Sequence, residues 1–245
     1  MHLRDAVCAM SQRTRSKKNL LQTHSWPENA GRKGHIGQLG WYTLKDDATL
    51  LFSRIVQIGW VIGWSDLQSS KVGKTALVRP DGFEVAAKAT AQHKISHERA
   101  SQEGRALQDV LQEFMGDVKE ACRQGGRVVA HQLEFDAGVI YEELGRCGLD
   151  NLRDEWASIA RKGFCTMTPL VGRWLREASG EDLGQPTTQH VLGLQDTLGR
   201  LLPDVTRKLR HHVAEDDAEM TRLIYLALLR RSAPAAGRAG GLASA

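Results

Sequence analysis

No apolar run in this chain approaches the roughly 18 residues that a membrane-spanning helix requires. The longest such stretches, around Ile55–Trp64 and Leu223–Leu229, have the length of a buried strand and of part of a helix. Cysteine is scarce. Cys8, Cys122, Cys147 and Cys165 are widely spaced and form no Cys-x-x-Cys pair, so zinc finds no ligand spacing, and four reduced thiols are expected. Neither a Gly-x-Ser-x-Gly elbow nor a His-Glu-x-x-His helix is present, which leaves a serine hydrolase or a zinc protease without support. The run "VGKT" at 72–75 is like the end of a phosphate-binding loop, but Gln68 stands where that loop needs its first glycine. A large charge of one sign is also missing: 33 Lys and Arg face 29 Asp and Glu, for a net charge of +4. That mild excess permits a polyanionic partner without requiring one.

What is present is unevenly distributed. Residues 1–37 are basic and polar, with Arg4, Arg13, Arg15, Lys17, Lys18, Arg32 and Lys33 against only Asp5 and Glu28. A leader of that composition is expected to be an unstructured extension, an organelle transit peptide or a wrongly joined gene start. The Ala- and Gly-rich tail, 232–245, has no hydrophobic pattern and is expected to be disordered.

Between them, strands and helices alternate. "RIVQIGWVIG" (54–63) is apolar on both faces, as a central strand is. "TALVRPDG" (75–82) predicts a strand ending in a Pro-Asp-Gly turn. Leu107, Val110, Leu111, Phe114, Val118 and Cys122 recur at helical spacing, predicting an amphipathic helix over 105–123. A short strand is expected in 125–131, a helix over 135–147 stopped at Gly148, a strand in 163–167, a helix over 168–177 and a long helix over 215–230. This pattern predicts an α/β fold with a mixed sheet.

Two carboxylates fall on apolar helix faces. Asp217 shares a face with Thr221, Ile224 and Leu228, and Asp136 shares one with Ile140, Leu144 and Cys147. A carboxylate aimed at a core is costly unless it is paired or binds a metal. Asp136 could instead cap its helix. Two such residues on separate helices suggest a shared metal site. His212, five residues before Asp217, sits where a loop enters the last helix and could take a proton from an attacking water. The alternative is a solvated histidine in the basic loop of Arg207, Lys208 and Arg210.

In order, "VVAHQLEFDAGVIYEEL" resembles the second motif of DnaQ-like (DEDDh) 3′–5′ exonucleases, with Gln132 where Asn is usual and Asp136 as the motif aspartate. "HHVAEDDAEMT" resembles the third motif, giving His212 and Asp217. "TAQHKISHE" (90–98) is similar to the family's connecting segment, often His-Gly-Ile-Thr-x-Glu. "RIVQIGWV" is similar to its second strand, and "FCTMTPLVGRWL" to the strand and helix after motif two. The resemblance covers about residues 54–230 and implies a ribonuclease H-like three-layer fold with a central mixed β-sheet flanked by helices. It also implies two Mg²⁺ or Mn²⁺ ions about 4 Å apart, held by carboxylates that include Asp136 and Asp217, with His212 as general base. Single-stranded DNA or RNA 3′ ends are the implied partners, and a homodimer is the implied oligomer. The expected layout is an extension over 1–37, the exonuclease-like domain over 38–231 and a tail over 232–245.

The chain departs from the family at motif one, an Asp-x-Glu on the first strand. "GQLGWYTLKDDATLLFSR" (37–54) can form a strand, yet its acids lie at the end: Asp46 falls near the glutamate position and Leu44 at the aspartate position. Three readings follow: Asp46 or Asp47 restores part of a metal site, the first exon differs, or the chain holds nucleic-acid ends without cutting them. Weak or absent turnover is the expectation.

Overall fold

The computed structural model describes residues 6–14, 53–64, 71–177, 180, 191–206, 209, 210 and 212–232. Five strands form one sheet: β1 (Ala6–Thr14), β2 (Ile55–Trp64), β3 (Val72–Leu77), β4 (Arg127–Ala130) and β5 (Phe164–Cys165), in the order β3-β2-β1-β4-β5. β2 is antiparallel to both β1 and β3, while β1, β4 and β5 are parallel. β2 therefore runs against the other four.

The helices in chain order are α1 (Ala87–His93), α2 (His97–Glu103), α3 (Leu107–Arg123), α4 (Leu133–Arg146), α5 (Asp150–Ala160), α6 (Pro169–Glu177), α7 (Leu194–Leu201), α8 (Pro203–Thr206) and α9 (Ala214–Ser232). No described helix is long and apolar enough to cross a membrane.

Strand alternation sorts the two faces. Ile58, Trp60, Ala76, Val128 and Ala130 join one core with α3, α4 and α5. Its spine is a chain of edge-to-face rings, Trp60 to Phe114 at 5.6 Å and Phe114 to Trp156 at 5.5 Å. Each indole keeps a partner, since Trp60 Nε1 donates to Asp117 Oδ2 at 2.8 Å and Trp156 Nε1 donates to the Ala137 carbonyl at 2.9 Å. Val129 points the other way, onto Tyr225 and Leu226 of α9. Beyond it Leu175 of α6 and Leu198 and Leu201 of α7 pack on Met220 and Ile224 of α9. The result is the three-layer arrangement with a mixed central sheet that the sequence led us to expect.

The leader is where expectation and structure part. Ala6–Thr14 lies inside the segment expected to be an unstructured extension, yet it is the middle strand of the sheet. The reason is local. Ala6–Met10 is a five-residue apolar run hidden in a polar average, and the slot between β2 and β4 satisfies backbone groups on both of its edges. The expected boundary at 37/38, the acids Asp46 and Asp47, and the tail 233–245 lie outside the described residues.

A buried carboxylate locks α4 to the sheet. Glu143 is fully buried and accepts from the Ile55 amide at 2.9 Å and from Arg54 Nε at 3.1 Å, with Arg146 as a second cation at 3.1 Å. The far end of α4 is thereby fixed to the start of β2, which holds its first turn against the end of β4.

Candidate functional site

β1, β4 and β5 are parallel, so their carboxyl ends share one edge of the sheet, the edge at which open α/β sheets place ligands. α4 leaves β4 there after only two residues, His131 and Gln132. Gln132 is the N-cap, at φ 102° and ψ 50°, and makes no side-chain capping bond. Asp136 is therefore one turn inside α4 and is not its cap, the reading its position had also allowed. Its amide donates to the Gln132 carbonyl at 3.2 Å, and its side chain is half-buried. A carboxylate in a first helical turn is favoured by the helix dipole.

α9 approaches the same edge from the other face. A Cβ added to Gly59 of β2 would lie 2.4 Å from the Ala214 carbonyl carbon and 2.5 Å from the Glu215 nitrogen, so the start of α9 rests directly on the strand. Gly59 pairs with Ser11 of β1, while Gly63, which touches Arg222, pairs with Val7. α9 thus enters over the carboxyl-terminal half of β1 and runs back along it.

Asp217 is 2% exposed, with Thr221 and Ile224 buried along the same stripe, as the spacing predicts. Its Oδ1 accepts the His212 amide at 3.2 Å. His212 itself is left-handed, at φ 70°. Asp216 Oδ2 accepts from the Arg210 amide at 3.1 Å and from Arg210 Nε at 2.9 Å, and Gln57 Oε1 of β2 accepts the Ala214 amide at 3.3 Å. Side chains reaching back to free amides are what a helix start needs. Here they also shape the loop that carries His212.

His131 joins three segments. Its Nε2 faces the Leu192 carbonyl at 3.1 Å and its Nδ1 faces Thr166 Oγ1 at 2.9 Å. A carbonyl only accepts, so Nε2 carries the proton and Nδ1 accepts from the threonine. Burial pushes its pKa down to about 4, partly opposed by the Leu192 carbonyl. It is a neutral strut between the ends of β4 and β5 and the segment leading into α7.

The structure joins His212 to Asp217 and places Asp136 at the same edge on a separate helix, while Asp46 is outside the described residues. Among the described residues, no group of three or more His, Cys, Asp and Glu side chains gathers closely enough to hold a metal ion. Ala6–Thr14 contains no Asp or Glu. A pair of divalent cations needs a rich oxygen shell, and these donors do not fit it. The sequence did not mark Gln57 as part of this edge. His131 and Gln132 were read only as positions of motif two, and neither the buried strut that His131 forms nor the left-handed backbone of Gln132 was legible in it.

No protein-family profile matches the chain, and no curated protein matches it. Solved structures do. A zinc-bound E. coli ExoI–single-stranded DNA complex matches with a TM-score of 0.59 at 12% identity, over 94% of this chain and 41% of that one. Exonuclease I from Methylocaldum szegediense matches with a TM-score of 0.57 at 14% identity, over 93% and 41%. A 3′-exonuclease studied for 3′-end-specific recognition of histone mRNA stem-loop matches with a TM-score of 0.51 at 9% identity, over 94% and 65%. The chain spans 41% of the length of each exonuclease I chain. These likenesses show the fold alone: the chain shares the ribonuclease H-like architecture of those structures.

Proposed function

We propose that this chain is a 3′–5′ exonuclease-type protein that engages 3′ ends of single-stranded DNA or RNA, with hydrolysis that is weak or lost because motif one is degraded. The observation that carries this reading is the Asp217–His212 pair at the entry of α9, above the carboxyl end of the middle strand, with Asp136 at the same edge. His212 is the residue suited to accept a proton there, and Asp136 and Asp217 are the carboxylates suited to a divalent ion such as Mg²⁺ or Mn²⁺. The missing acids of β1 argue against a complete pair of ions, and we route no chemical step through one. A second reading, a non-catalytic module that binds 3′ ends on this fold, rests on that same absence.

The test is digestion of 5′-labelled single-stranded DNA and RNA with Mg²⁺ or Mn²⁺, beside Asp217→Asn and a binding titration in EDTA. Weak stepwise 3′ shortening that is lost in the variant supports residual catalysis. Binding in EDTA without shortening supports the binding module. Robust digestion would overturn the degraded-site reading, and neither binding nor digestion would overturn both.

A further inference from the structure

Among the described residues at the entry of α9, three backbone amides have side-chain acceptors: Asp216 takes Arg210, Asp217 takes His212 and Gln57 takes Ala214. The first two belong to α9 and move with it. Gln57 lies 157 residues away in sequence, on β2, between Arg13 of β1 and Leu77 of β3. Of these three acceptors it alone ties the loop to the sheet.

From this we infer that Gln57 is a positioning residue, which sets the height of His212 above the carboxyl end of β1 and so the selectivity of this edge for a free 3′ terminus. The inference rests on the function proposed above. Its geometry is supported two residues on. Gly59 is on the same face of β2, and the absence of a side chain there lets the Ala214 backbone reach the strand. Without Gly59 the amide of Ala214 could not come within reach of the Gln57 side chain. His212 is held in a conformation that L-residues adopt reluctantly, so its loop needs outside anchors to stay in one shape. An amide oxygen on a rigid central strand is such an anchor. A water molecule in its place would satisfy Ala214 equally and fix nothing.

The test compares the full-length protein with Gln57→Ala and Gln57→Glu. The Glu variant keeps an oxygen acceptor, and its charge is tolerated at a helix start. One readout is affinity for a linear single-stranded oligonucleotide against a circle of the same sequence. The other is amide hydrogen exchange at His212 and Ala214. The expected result for Gln57→Ala is a loss of linear-over-circular preference of about fivefold, the value of one hydrogen bond. Circle affinity should stay unchanged. Exchange should quicken at His212 and Ala214 while the centre of α9 keeps its protection, and Gln57→Glu should restore both readouts. A Gln57→Ala protein that is merely less stable, with end preference and His212 exchange intact, overturns the inference. If the wild-type protein shows no end preference, the functional reading fails, and His212 exchange alone decides whether Gln57 anchors the loop: unchanged exchange in Gln57→Ala rejects it.

Discussion

Asp217 and His212 are bonded through carboxylate and backbone, Oδ1 accepting the His212 amide at 3.2 Å. Removing the aspartate therefore disturbs the histidine even where no metal is involved. An alanine leaves that amide without its acceptor and opens a buried space, which should lower stability by about 1–3 kcal/mol. Asp217→Asn keeps an oxygen in place and should lower it by less than about 1 kcal/mol. Chemical denaturation of the three proteins checks this. Equal losses for Ala and Asn would mean that the negative charge, and not the hydrogen bond, holds the loop.

The contact between α9 and β2 makes a sharper prediction. At Gly59 the atoms within 2.4–2.6 Å of an added Cβ are backbone atoms of Ala214 and Glu215, which cannot swing aside. Gly59→Ala should push α9 from the sheet and cost about 3 kcal/mol or more. Gly63→Ala meets the Arg222 side chain at 3.2 Å, where a shift of a few tenths of an ångström relieves the contact although Arg222 is buried and paired with Glu219, and should be milder. Thermal unfolding of the pair reads the difference, and similar midpoints would refute the direct contact.

Much of this was readable from the residues, and the failures have physical causes. The stripes of α3 and α9 were legible because their apolar residues repeat at helical spacing, and β2 because it is apolar on both faces. β1 was missed because five apolar residues vanish in a 37-residue basic average, and its stability comes from two neighbours distant in sequence. Asp136 could be taken for a cap because α4 begins earlier than its apolar pattern, at Leu133, through a left-handed Gln132 that no propensity favours. α5 buries only Trp156 and Ala160, too few for a visible stripe. The role of Gln57 exists only once chain segments 157 residues apart are brought together.

His131 should make the fold acid-sensitive in a defined window. Its folded pKa of about 4 lies below the ordinary 6.5. Above pH 6.5 it is neutral in both states and contributes no pH dependence. As pH falls from 6.5 towards 4, the unfolded chain takes up a proton that the folded one refuses, so stability declines. The slope is at most about 1.4 kcal/mol per pH unit, and the total is about 3 kcal/mol. Other groups titrate in the same range, so the measurement is the difference in slope between wild type and His131→Gln. The variant should lose close to one proton of linkage there. An unchanged slope would show that the imidazole is not held neutral.

Besides His212, two described non-glycine residues sit where glycine is at ease: Lys94 at φ 60° closing α1, and Gln132 at φ 102° opening α4. Glycine loses more entropy on folding, but it removes the strain of a left-handed backbone. The balance at each site should favour Gly by about 0.5–1 kcal/mol. The larger gain is expected at Gln132, whose φ lies further from the ordinary left-handed region. Asn visits that region more readily than Gln, so Gln132→Asn should recover part of the gain. Gln132 is exposed and makes no side-chain capping bond, so neither change removes a known cap contact. Denaturant midpoints of Lys94→Gly, Gln132→Asn and Gln132→Gly provide the check. If Gln132→Gly is less stable than wild type, the glutamine side chain holds the junction of β4 and α4 by contacts that outweigh its strain, and this residue beside His131 and Asp136 would become a functional candidate in its own right.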